Sequence, residues 1–79
     1  MPEPFDPSAA LEKIRAHLST PSGIIMISTY LKSTQYEHKH RDMFYLDKEN
    51  NIRVKQGKSS VIIATPNGPL VSVKFYRYQ

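Results

Sequence analysis

Three turn signals follow one another through the second half of the chain, Lys48-Glu49-Asn50, Gly57-Lys58 and Thr65-Pro66-Asn67-Gly68, and apolar residues alternate with polar ones through much of the sequence between them. That combination demands an antiparallel sheet, because side chains alternate across a strand and loop length decides which residues face each other. A three-residue loop ending on Asn50, a residue type that tolerates a left-handed backbone, places Phe44 opposite Val54 and Leu46 opposite Ile52. A two-residue loop would set Leu46 against Arg53 and mix the faces. Gly57-Lys58 forms a tight two-residue turn that pairs Val54 with Val61 and Ile52 with Ile63. At the third signal Pro66 suits the second position of a type I turn and Gly68 the left-handed position after it, so Thr65 faces Pro69. Ile63, Val61 and Ser59 then pair with Val71, Val73 and Phe75. All three turns agree on one inner face, running from Phe44 through Val54 and Val61 to Phe75.

The first half supplies a cover for that face. Asp6 reads as a helix N-cap and Pro7 as the first helical residue, where its missing N–H costs nothing. Leu11, Ile14 and Leu18 follow on one side, and Pro21 with Gly23 ends the helix, which is expected over about 7–19. Strand one follows at about 23–32. Its faces do not separate, since Ile25, Ile27 and Leu31 alternate with Ile24, Met26 and Tyr30. Such a strand is either central in a curled sheet or buries one face against another molecule. Residues 33–41 read as a polar connection, and the remaining strands fall at about 42–47, 51–56, 59–65 and 69–78. The fold class expected is α+β: one domain of 79 residues, an N-terminal helix on a four- to five-stranded antiparallel β-meander, flat or curled into a half-barrel. Which meander strand neighbours strand one is left open.

Composition narrows the functional classes. The chain has no cysteine, which excludes disulfides and thiolate metal sites and leaves packing to hold a small core together. The longest aliphatic run, Ile24 to Ile27, is far too short to cross a bilayer, and the first residues carry acid and proline where a signal peptide carries base. The expectation is an intracellular, cytoplasmic protein without membrane association. The formal net charge is +4, with two Lys/Arg against three Asp/Glu in residues 1–31 and nine against four in residues 32–79. The sheet half is therefore the basic half.

The same register predicts the outer face. One row reads Met43, Lys55, Ser60, Lys74 and its neighbour Tyr45, Arg53, Ile62, Ser72, with Tyr76 and Tyr78 beyond. Cations interleaved with aromatic rings suit single-stranded nucleic acid, in which phosphates need neutralising and bases need stacking surfaces. Tyr45, Arg53, Lys55, Lys74, Tyr76 and Tyr78 are the binding residues expected, with Arg53, Lys55 and Lys74 on phosphates. The alternative is a small protein-binding inhibitor or adaptor acting through strand one and the sheet face, with Ile24, Met26 and Tyr30 as anchors and homodimerisation through strand one compatible with either function.

Enzymatic chemistry has little support. His38 and His40 beside Lys39 and Arg41 could serve a toxin-like ribonuclease, one imidazole taking the 2′-hydroxyl proton and the other protonating the leaving oxygen. Their spacing specifies no third metal ligand. Gly57-Lys58-Ser59 lacks the upstream glycine and following helix of a phosphate-binding loop. A non-enzymatic protein without cofactor or metal is expected.

Overall fold

The computed structural model describes residues 4–78 and shows an α+β fold, with one N-terminal helix and two antiparallel sheets that do not close into a barrel. Helix α1 spans Pro7–Leu18. Asp6 caps it, its carboxylate accepting the Ser8 N–H at 3.0 Å. Leu11, Ile14 and Leu18 are buried as their spacing requires. At the other end, carbonyls of the last turn accept side chains: Ser19 Oγ donates to the Arg15 oxygen, Thr20 Oγ1 to His17 and His38 Nδ1 to Leu18.

Seven strands follow: β1 Gly23–Ser28, β2 Ser33–Tyr36, β3 Phe44–Leu46, β4 Ile52–Gln56, β5 Ser59–Thr65, β6 Gly68–Pro69 and β7 Ser72–Arg77, with a 3-10 helix over His38–Met43. One sheet has the order β2-β1-β7 and the other β3-β4-β5-β6. The β3–β4 hairpin keeps the expected register, Phe44 opposite Val54 and Leu46 opposite Ile52, and the β4–β5 hairpin keeps it from its turn as far as Val54 opposite Val61. Asn50 takes the left-handed conformation at φ 64°, and Gly57 the positive φ that opens a two-residue turn of the type that suits strand twist. The core joins both sheets to the helix: Leu18, Ile25, Phe44, Ile52 and Val54 are almost wholly enclosed. Each such side chain contributes about 1.5–3 kcal/mol on burial.

The third hairpin departs from expectation. The turn at Pro66-Asn67 has two residues, so Thr65 faces Gly68 and Ala64 faces Pro69, and the pairing then stops. Pro69 has no N–H to extend a ladder. Leu70 donates one last bond to the Ile63 carbonyl at 2.9 Å. β7 then pairs along its whole length with β1, Ile25 opposite Phe75 and Ile27 opposite Val73. The expected pairs Val61–Val73 and Ser59–Phe75 are absent. An irregularity between Ile52 and Arg53 also sets Ile52 opposite Ala64 instead of Ile63.

Strand one ends at Ser28, four residues early, because the chain reverses through residues 29–32 to form β2. The sequence hides β2, a polar edge strand in which only Tyr36 is buried. β1 is thus central, with both edges paired. Ile25 and Ile27 face the core, and Ile24, also buried, has Tyr76 as its cross-strand neighbour.

Candidate nucleic-acid interface

The residues expected on one surface are divided between the two sheets. In the sheet built on β4, the alternation that buries Phe44 and Val54 turns Tyr45, Arg53 and Ile62 outward in one row and Lys55 and Ser60 in the next. Lys74 lies on the other sheet, opposite Met26, with Tyr76 opposite Ile24. The expected rows joining Lys55 to Lys74 and Arg53 to Ser72 are therefore not formed within one chain.

Two of the expected residues are engaged internally. Arg53 Nε donates to Asp47 Oδ2 at 2.6 Å and its Nη1 to Ser60 Oγ at 3.1 Å. Asp47 also accepts the Glu49 and Asn51 backbone N–H groups and the Asn51 side-chain amide. The Arg53 guanidinium and these amides hold the Asp47 carboxyl well below the usual carboxylate range. This network closes the β3–β4 loop, and its cation is neutralised. Tyr78, past the end of β7, donates its hydroxyl to Glu37 Oε1 at 2.9 Å. The Glu37 bond pushes the phenol upward from its ordinary value.

Lys55, Lys74, Tyr45 and Tyr76 remain available. Lys55 and Lys74 are exposed and make no ion pair among the described residues. Tyr45 and Lys55 border a recess of about 370 Å3 with Lys58, Ser59 and Ser60. Lys58, in the turn between β4 and β5, was not among the expected contacts. A two-residue turn leaves its side chains in solvent, and that signal could have found it. Tyr76 is about half exposed beside Lys74.

The histidines serve the backbone. His40 Nδ1 accepts the Glu37 N–H at 3.0 Å, and His38 is bonded to the Leu18 carbonyl. His17 Nε2 donates to the Tyr76 carbonyl at 2.6 Å, its ring edge-on to Phe75. Among the described residues no group of three or more His, Cys, Asp or Glu side chains gathers as a metal site would need. No helix among them is long and apolar enough to cross a membrane.

Of the expected protein-binding anchors, Ile24 is buried, Met26 half-buried and Tyr30 98 % exposed. Leu31, expected on a strand face, stands beside Tyr30 at the β1–β2 turn and is 85 % exposed. No protein family, curated protein or solved structure matches the chain.

Proposed function

We propose that this is a non-enzymatic, cytoplasmic single-stranded nucleic-acid-binding protein. Lys55, Lys58 and Lys74 contact phosphates, and Tyr45 and Tyr76 offer rings to bases. The observation that carries this is the uneven use of charge: Asp47 pairs with Arg53, Asp42 with Arg41, and Glu37 accepts the Tyr78 hydroxyl, whereas these three lysines make no ion pair among the described residues. Cations left unpaired beside the half-buried Tyr45 and the exposed Tyr76 provide both terms that single-strand binding needs. Labelled oligonucleotides titrated across a salt series test it. Log affinity falls linearly with log salt, and each of Lys55→Ala, Lys58→Ala and Lys74→Ala reduces the slope by about 0.7 while leaving the circular dichroism spectrum unchanged. Absence of binding at low salt overturns the proposal.

The exposed Tyr30–Leu31 pair favours a second function, docking of a protein partner on the β1–β2 hairpin tip. It requires salt-tolerant binding to a protein, lost in Leu31→Ser and retained in Lys55→Ala.

A further inference from the structure

β7 is one of the two edge strands of its sheet, paired only with β1. Tyr78 N–H donates to the Ser22 carbonyl at 2.9 Å. With Ile24 opposite Tyr76, the alternation of an antiparallel ladder assigns the even-numbered residues of β7 to β1 and turns the N–H and C=O groups of Val73, Phe75 and Arg77 to the open side. Phe75 lies in the inward row, opposite the fully buried Ile25, and stays 42 % exposed although the His17 ring packs edge-on against it, because no strand follows β7 in the sheet. The strand has no proline, and its pairing with β1 runs without a bulge. Two of the usual devices against edge-to-edge pairing are thus missing.

We propose that β7 pairs with β7 of a second copy, antiparallel about a two-fold axis through Phe75, making one six-stranded sheet from two chains. Any strand edge can meet its own copy in this way, and the outward hydrogen-bonding groups of Val73, Phe75 and Arg77 select the register. Phe75 then faces Phe75, Val73 faces Arg77 and Lys74 faces Tyr76. No two cations are directly opposite, and each Lys74 meets an aromatic ring. The inward phenylalanines cover each other. β5 is the weaker edge: only Ser59–Ile62 are open before Leu70 and β6 close it. A chain of this size gains from a shared core. The pairing does not depend on nucleic-acid binding, but it gathers Lys74 and Tyr76 of both copies on one outer face.

Light scattering over a concentration series tests the pairing, with twice the mass of one chain expected. Phe75→Lys places two cations face to face and gives a monomer with an unchanged circular dichroism spectrum. Phe75→Cys supplies a second readout that does not rely on that variant folding, since the chain has no cysteine of its own and residues in a hydrogen-bonded pair are about 5.5 Å apart, within disulfide reach. Oxidation cross-links Phe75→Cys quantitatively and leaves Ser59→Cys on β5 uncross-linked. A wild-type chain that stays monomeric at every concentration overturns the proposal, as does cross-linking of Ser59→Cys in place of Phe75→Cys. These outcomes are read from mass, so they separate from any failure to bind oligonucleotide.

Discussion

Gly23 and Asp47 show how single residues carry this fold. A Cβ placed on Gly23 lies 2.0 Å from the His17 carbonyl oxygen, a backbone atom that cannot move without displacing the helix. Gly23→Ala therefore costs about 1–3 kcal/mol, the usual range for overpacking, measurable by denaturant unfolding. Asp47 acts through charge. Its carboxyl is held below its unfolded value of about 3.9, so its contribution to stability is present at neutral pH and is lost as pH falls below about 4. Asp47→Asn is expected to lower the melting temperature at pH 7, with the gap to wild type closing on acidification. Asp47 was legible in the sequence only as a strand end, because one of the four donors its carboxylate accepts is Arg53, arriving from the next strand. His38 and His40 likewise looked free on a polar loop. Both lie in the 3-10 helix, where His38 bonds the Leu18 carbonyl and His40 accepts the Glu37 N–H.

At the scale of elements, the hairpins from Phe44 to Val61 were readable because loop length and alternation constrain each other within a few residues. The pairing of β7 was not. β5, in the expected hairpin, and β1, in the structure, engage the same edge of β7 and keep Val73 and Phe75 inward, so alternation cannot choose between them. β1 wins through length: six residues pair with β7, whereas the ladder on β5 ends at Pro69. One consequence concerns Val61, which lies in the inner row but is 37 % exposed for want of a neighbour beyond β5. From sequence, Val61→Asp should abolish folding. From structure it leaves the domain folded, with cooperative thermal unfolding. Phe44→Ala, in contrast, empties a wholly enclosed site against Tyr36 and is expected to cost about 3–5 kcal/mol, a large part of the total stability of a small domain.

For the whole molecule, the division into two sheets separates Tyr45 and Lys55 from Lys74 and Tyr76, which the sequence placed on one continuous face. Ligand bound across both groups has to contact two sheets. A double variant of Lys55 and Lys74 should therefore lose affinity as the sum of the single variants, within about 0.5 kcal/mol, in the same oligonucleotide titration. The α+β class, the helix with its cap, the inner face from Phe44 to Val61 and the turn at Asn50 were all legible along the chain, since each is set by near neighbours. Tertiary structure alone decided the partner of β7, the central place of β1, the hidden strand β2 and which charges remain unpaired. Those depend on competition between segments far apart in sequence, where equivalent alternation patterns are separated only by how much edge each partner offers.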